Sequence, residues 1–321
     1  MTHPLVTTGI TAWNAADTIE RAVRSALAQD WRPIEIVVVD DASSDGTAGI
    51  LTRLATSHDA LRVVTQPANG GVAAARNRVL AEARGEFVAF FDDDDESLPE
   101  RVGAQLARIL DYERDFARAA PVVCHTARRR VYPDGLVRIE PTMGQVAGRL
   151  APQGLAVARR ILAGAPLEDG NGACPACAQM ARRTTYELVG GFDPAFRRSE
   201  DTDLCVRLAR AGAHFVGLGQ PLVVQTMTAT VDKSLAREQF FAMEFLDKHR
   251  DLFESEAEYL FARNWAAIKH HWLANRRLRF AAGLARLGFA HPACTGRRLM
   301  GALPNLGLNR AFRRFHAGPK A

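Results

Sequence analysis

Two periodicities alternate along roughly the first 95 residues. Short apolar runs rich in branched side chains, Ile34 to Val39, Leu61 to Thr65 and Glu86 to Phe91, predict buried strands. Between them apolar positions recur three and four apart: Ile19, Val23, Ala26 and Leu27, then Ile50, Leu51 and Leu54, then Val72, Ala75, Val79 and Leu80. That spacing predicts helices, the first entered through a capping box of Asp17 and Glu20. Strand, helix, strand, helix demands right-handed crossovers and a mostly parallel sheet flanked by helices, an α/β fold of Rossmann-like character. Ligands of such sheets bind outside the carboxyl ends of the strands.

From Pro121 the pattern changes. Val122 to Thr126 predicts a strand, and Pro133-Asp134-Gly135 predicts the turn of a hairpin between Val131 and Val137. A helix near Leu155 to Leu162, a Gly-rich loop at Gly164 to Gly172 and an apolar strand at Ala176 to Ala181 follow. Glu200-Asp201-Thr202-Asp203 opens a helix that runs to Ala211. Beyond Ser234, Phe240, Phe241, Phe245, Leu246 and Phe253 recur at helical spacing, and helix continues into the tail. The expected organisation is one α/β domain over residues 1–230 and a basic helical region over residues 231–321.

The chain has 321 residues, 47% hydrophobic and 24% charged, enough for one large domain or two modest ones. These proportions exclude a disordered, collagenous or disulfide-stapled protein. No apolar run reaches the ~18 residues of a membrane span. Met1 to Ile10 lacks a basic stretch followed by an apolar one, so the expected compartment is the cytoplasm. Five cysteines, with Cys174 and Cys177 the single close pair, do not form a disulfide framework. The net charge of +5 hides an asymmetry. From Tyr259 onward there are 12 Lys and Arg and no Asp or Glu, so the basicity belongs to the tail and the body is acidic.

Two acidic clusters stand at strand ends: Asp40-Asp41 after Val39, and Asp92-Asp93-Asp94-Asp95 after Phe91. Both are expected on one rim. Four consecutive aspartates repel one another and need hydration or a cation. One could cap a helix over Ser97 to Leu110, but not all four. Oxygen-only ligands of this kind suit Mg²⁺ or Mn²⁺, which bind one or two carboxylates together with substrate phosphates.

A family resemblance enters with these residues. Thr11-Ala12-Trp13-Asn14, Val39-Asp40-Asp41-Ala42-Ser43-Ser44-Asp45-Gly46-Thr47, Asn69-Gly70-Gly71 with Arg76-Asn77, Phe91-Asp92-Asp93-Asp94-Asp95, Gly190-Gly191-Phe192-Asp193 and Glu200-Asp201-Thr202-Asp203 resemble, in that order, the motifs of the inverting family 2 glycosyltransferases with the GT-A fold. The resemblance spans about Val6 to Leu222. It implies a nucleotide-sugar donor, expected to be a UDP-sugar, a glycan or lipid-linked acceptor, a divalent cation and transfer with inversion. Carried over by position, it places Thr11, Trp13, Asp40, Asp41, Arg76, Asp92 and Asp93 around the nucleotide-sugar. Asp40 or Asp41 would accept from the base, and Arg76 would approach the diphosphate. Asp92 and Asp94 become the metal ligands, Asp94 the more direct one. Glu200 and Asp203 fall on the acceptor side and Asp201 becomes the catalytic base.

These residue types suit that chemistry. A bridging cation stabilises charge developing on a departing diphosphate. A carboxylate ionised at neutral pH can take the proton of an acceptor hydroxyl as the new bond forms. Simpler roles compete: Asp201 as a helix cap, Arg76 as a surface residue, Trp13 as core. Cys174-Pro175-Ala176-Cys177 lacks the second pair of a zinc site and is expected to be two buried thiols. His214 is expected to pack, and His270-His271 are adjacent on a helix and so cannot share a ligand. In the tail, arginines alternate with Leu, Phe and Ala: Arg276, Arg277, Arg279, Phe280, Leu284, Arg286, Leu287 and Phe289, then Arg310, Phe312, Arg313, Arg314 and Phe315. Peripheral contact with an anionic membrane at its inner face and packing on the body are both open for this segment, while nucleic acid is not an expected partner. A nucleotidyltransferase and a non-catalytic sugar-nucleotide-binding or membrane-docking protein are the alternative functions. The former has no use for the Gly-Gly-Phe-Asp and Glu-Asp motifs, and the intact Asp92, Asp94 and Asp201 argue against the latter.

Overall fold

Strand β1 (Val6–Ala12) is buried along its whole length and lies at the centre of a parallel arrangement. The structure is a computed structural model that describes residues 3–227 and 234–302. β2 (Ile34–Asp40) and β4 (Phe87–Asp92) pair with β1 on either side, and β3 (Leu61–Thr65) pairs with β2, all parallel. Helices α1 (Ile19–Leu27), α2 (Thr47–Ser57) and α3 (Val72–Glu82) make the crossovers. Each turns a stripe inward, as α1 does with Ile19, Ala22, Val23 and Ala26. Burying a large apolar side chain of this kind contributes about 1.5–3 kcal/mol. The expected capping box is not formed. Thr18 is the N-cap and makes no side-chain capping bond, while Glu20 pairs with Arg24 and Arg53, both at 2.7 Å. Two arginines outbid a single backbone N–H for that carboxylate.

After β4 the chain turns over Asp93 and Asp94 alone and re-enters the sheet as β5 (Asp95–Ser97). The helix expected from Ser97 therefore starts later, as α4 (Arg101–Tyr112), and no aspartate caps it. The reason is long-range. β5 is claimed by β9 (His214–Thr226), with Asp95 opposite Gln225. A single π-helical turn follows α4 at Glu113–Ala117.

β6 (Val122–Val131) forms the expected hairpin with β7 (Val137–Glu140), turning at Gly135 with φ +78°. β8 (Gln179–Arg182) is antiparallel to both β4 and β6, and β9 is parallel to β6. The sheet order is β3-β2-β1-β4-β8-β6-β9-β5, a parallel half continued by a mixed half. α5 (Gly154–Ala163), α6 (Arg183–Leu188) and α7 (Glu200–Arg210) complete the helices through Thr226. Only the second half of the segment expected as a strand at Ala176 to Ala181 is one, because Ala176–Ala178 form a 3₁₀ turn.

Two compact units are distinguished. The sheet and its helices form one, comprising Met1–Val131, Val137–Ala158 and Pro166–Thr226. The other takes Tyr132–Leu136, Arg159–Ala165 and the chain from Met227. Its helices are α8 (Leu235–Lys248), α9 (Glu256–Leu273), α10 (Arg277–Ala290) and α11 (Pro292–Ala302). Ser234 and Ser255 cap α8 and α9 by accepting from the backbone N–H groups of Arg237 and Glu258. Phe261, Ile268 and Leu287 form a small core, joined by Trp265, Phe280, Leu284 and Cys294. Phe240, counted among the regularly spaced apolar residues, is 58% exposed, whereas Phe245 and Leu246 are buried. Arg310, Phe312, Arg313, Arg314 and Phe315 lie outside the described residues. No helix among the described residues is long and apolar enough to cross a membrane.

Candidate active site

Register brings the two acidic clusters to one rim. Ala12 stands beside Asp40 and Thr11 beside Asp92, so the carboxyl ends of β2, β1 and β4 are level. The loops beyond them are tied to one another. Asn14, at φ 50°, accepts from the backbone N–H and hydroxyl of Ser44 through Oδ1, and its own N–H donates to Ser43 Oγ at 2.9 Å. Asp45 accepts from the Thr47 hydroxyl at 2.6 Å and from the N–H groups of Thr47 and Ala16. Burial works to raise the Asp45 carboxyl, and these hydrogen bonds overcome it and lower its pKa.

This frame sorts the nucleotide-side residues. Trp13 is 48% exposed, so the core role is excluded, and its backbone N–H donates to Asp93 Oδ2 at 3.1 Å. Thr11 is buried at the end of β1. Asp40 and Asp41, indistinguishable in sequence, separate here. Asp41 accepts from the N–H groups of Gly70 and Gly71, each at 2.8 Å, and from the Gln66 amide, so it organises the loop before α3. Asp40 accepts from Ser43 N at 3.1 Å through Oδ1, while its Oδ2 is buried without a hydrogen-bond partner. An orphaned buried acceptor is costly unless a ligand completes it.

Arg76 is the hub of the opposite side. The surface role is excluded, since it is 4% exposed. One guanidinium nitrogen donates to Asp92 Oδ1 at 2.9 Å and the other to Glu200 Oε1 at 2.6 Å. Burial alone would lower its pKa, but Asp92, Glu200 and Asp201 outweigh it and hold the guanidinium charged. Burial, reinforced by Asp201, pushes the Glu200 carboxyl up, and Arg76 opposes the shift. The guanidinium also lies over the Phe192 ring, 5.3 Å from its centroid. Phe192 is positioned by Asn77, whose amide donates to Phe192 O at 2.7 Å and accepts from Phe192 N at 2.8 Å. Gly191, at φ +70°, must be glycine. A Cβ there would stand 2.4 Å from Asn77 Oδ1. The Gly-Gly-Phe-Asp motif thus supports Arg76 from below.

Glu200 and Asp201 open α7. The capping position is Ser199, not Asp201, and Asp201 Oδ1 accepts from Thr202 N at 2.7 Å and Thr202 Oγ1 at 3.2 Å. Asp203 does not join this group. It is fully buried and accepts from Arg207 Nε at 2.8 Å.

Within the aspartate run, ligand atoms of Asp92, Asp95 and Cys177 lie within 4.8 Å of one another, a set that does not include Asp94. Asp95 is 4% exposed, with Oδ2 near the Gln225 amide at 3.4 Å and Oδ1 lacking a hydrogen-bond partner. Burial, then the charges of Asp92 and Asp94, pushes its carboxyl well above the usual carboxylate range. Burial also raises the Cys177 thiol, which makes it a poor ligand for a hard cation. Two buried arginines back the cluster. Arg101 is held by Ser97, Gln105 and the Phe90 carbonyl, and burial pushes it down to about 10. Arg128 bonds Glu140 at 2.7 Å and Gln225 at 2.9 Å. Asp92 with its neighbouring carboxylates is an oxygen donor set that fits Mg²⁺ or Mn²⁺. Asp94 is half-buried at the turn, where its backbone carbonyl accepts from Arg21 at 2.9 Å.

Cys177, Arg101 and Arg128 were not expected at the site, whereas Asp95 and Asn77 stood within the acidic run and the Arg76-Asn77 motif without an assigned role. The cysteine pair divides: Cys177 is buried beside Asp95, whereas Cys174 is only half-buried and lies with Cys205 and His125. All five cysteines are free. His214 packs as expected, bonded to the Tyr112 hydroxyl at 2.8 Å.

Residues 7–158 match the sequence profile described as glycosyl transferase family 2. Over that stretch the chain is similar to glycosyl transferase family 2. A curated relative, succinoglycan biosynthesis protein ExoO of Rhizobium meliloti, is 40% identical over 105 residues, 33% of this chain and 30% of ExoO. The chain spans less than half the length of the first curated relatives it matches. Among solved structures, the mannosyltransferase PcManGT from Pyrobaculum calidifontis, in complex with GDP-Man and Mn²⁺, aligns with TM-score 0.60 at 20% identity over 99% of this chain and 85% of that one. S. aureus TarS 1-349 in complex with UDP-GlcNAc aligns with TM-score 0.55 at 17% identity over 97% and 90%. The chain has the GT-A fold of these structures.

Proposed function

We propose that the protein is an inverting glycosyltransferase that moves a sugar from a nucleoside-diphosphate sugar, a UDP-sugar in our reading, to a hydroxyl of a glycan or lipid-linked acceptor. The observation that carries this reading is the bridge made by Arg76 between Asp92, at the donor-side strand end, and Glu200, beside Asp201. Acids from two separated stretches of chain thereby converge on one buried cation.

In this reading Trp13 lies against the base, and the orphaned Oδ2 of Asp40 accepts a hydrogen bond from it. Asp92 and Asp94 hold Mg²⁺ or Mn²⁺, because Asp95 is the more deeply buried acid and is held toward its protonated form. When bound, the cation supplies positive charge opposite the departing diphosphate. Asp201 takes the proton of the acceptor hydroxyl as the new oxygen–carbon bond forms at the anomeric carbon and the bond to the diphosphate breaks. The alternatives of nucleotidyl transfer and of non-catalytic binding leave Asp201 without a task. A cytoplasmic site of action, at the inner face of a membrane when the acceptor is lipid-linked, completes the reading.

The test is a thermal-shift titration of UDP and GDP with and without Mn²⁺, followed by transfer assays with the matching donors. A ligand at a hundred times its Kd stabilises by about 2.7 kcal/mol. Metal-dependent stabilisation by UDP is expected. Absence of any nucleotide effect would remove the proposal.

A further inference from the structure

The outward face of α10 is apolar, although its inward face already makes the core contacts of its unit. Phe280, Leu284 and Leu287 pack toward Phe261 and Ile268 on α9. On the other side Leu278 is 88% exposed and Phe289 95% exposed. Eleven positions separate them, which at 100° per residue brings both onto one line of the helix. Ala281, Ala282 and Ala285, all exposed, fall in the same sector, about 100° wide by that periodicity. Arg279 and Arg286 flank the stripe on one side and Arg277 on the other, all three exposed. On the following helix α11, Met300 is 66% exposed, and Ala293 and Arg297 share its face by the same spacing.

A helix needs one apolar face to join a core. A second apolar face, edged by arginines and left in water, costs free energy with nothing on its own unit to repay it. No Asp or Glu occurs from Tyr259 onward, so α10 and α11 carry no acidic side chain of their own. The combination matches an interfacial helix. Its large apolar side chains enter the boundary between headgroups and acyl chains, while guanidinium groups at that depth meet phosphate. A protein partner would be expected to demand shape-matching pockets, whereas a lipid surface needs only this stripe and its charged edges.

We infer that the exposed face of α10, continued on α11, docks on an anionic phospholipid surface through Leu278, Phe289 and Met300, with Arg277, Arg279 and Arg286 on the headgroups. This inference names a partner surface and does not depend on the catalytic reading.

The experiment is co-sedimentation of the full chain with vesicles of phosphatidylcholine alone or with 30 mol% phosphatidylglycerol (roughly a biological anionic fraction), at low and high salt. Strong pelleting with the anionic vesicles is expected, reduced at high salt and at least tenfold weaker for the double variant L278E/F289E. Both side chains are exposed, so the variant keeps its fold, which circular dichroism verifies. Transfer to a soluble acceptor by the variant separates docking from catalysis, since it is expected unchanged whether or not vesicles bind. No pelleting of the wild-type chain, or equal pelleting of wild type and variant, would overturn the inference. So would self-association in light scattering that the variant abolishes, which would give the face to a second copy.

Discussion

Arg76 Nη1 and Glu200 Oε1 meet at 2.6 Å across 124 positions of chain, and the same guanidinium holds Asp92. The contact ties the first helical turn of α7 to the end of β4. The strand-end carboxylate of Asp92 and the helix-start carboxylate of Glu200 are therefore set relative to one another by a single side chain.

Replacing Arg76 by Ala leaves Glu200 and Asp92 without their counter-charge in a buried setting. Breaking one partner of a buried ion pair costs about 3–5 kcal/mol. The expected result is a loss near the lower figure in urea unfolding at neutral pH, since Asp92 retains some solvent contact. Glu200→Gln, which keeps an acceptor for Arg76, is expected to lose less than half as much.

Asp201→Asn keeps the shape of the carboxylate and an oxygen that can accept from Thr202. General-base assistance contributes about 10²–10⁴-fold in rate. The variant is expected to lose transfer by a factor in that range, with nucleotide affinity close to wild type by calorimetry. Retained transfer would take Asp201 out of the mechanism.

The metal assignment distinguishes two neighbours. Asp94→Asn is expected to abolish the Mn²⁺-dependent part of the stabilisation by UDP, read as a thermal shift, and Asp95→Asn to preserve it. Loss in Asp95→Asn with retention in Asp94→Asn would move the ion inward, to the group formed by Asp92, Asp95 and Cys177.

His125 gives a pH signature unrelated to catalysis. Burial, then Arg128 and Arg101, pushes its pKa down to about 3. An unfolded histidine titrates near 6.5, so below that value the unfolded chain binds a proton that the folded one refuses. Stability is fully present above about pH 6.5 and falls as pH drops toward 3, by at most about 1.4 kcal/mol per pH unit from this group. His125→Gln is expected to flatten that slope in denaturant titrations between pH 4 and 6.5, the limits following from those same pKa values.

The parallel half of the fold was legible where hydrophobic runs and helical spacing coincide with the elements, as at β3, whose bounds match the apolar run. β1 was not recognised as a strand. Its apolar run is interrupted by Thr7, Thr8, Gly9 and Thr11, and the Thr7 and Thr8 hydroxyls are accommodated in the core by donating to Glu35. β5 was concealed for another reason. Three residues carry no periodicity, and only β9, more than a hundred positions away, makes them a strand. At the site, the strand-end acids could be placed on one rim from topology alone. The difference between Asp40 and Asp41 could not, because it depends on where the Gly70 and Gly71 amides point. For Arg76 a surface role stayed open beside the expected one at the diphosphate, since helical spacing says nothing of what a neighbouring segment lays over it.

The turn over Asp93 and Asp94 is two residues long, with sheet on both sides. A segment so short, stitched at each end, has no slack with which to swing aside. The loop before α3 is pinned as well, since Asp41 holds the Gly70 and Gly71 amides and Asn69 accepts from Arg197 at 3.3 Å. Both edges of the rim are thus fastened by the fold itself, the one by sheet pairing and the other by a single aspartate.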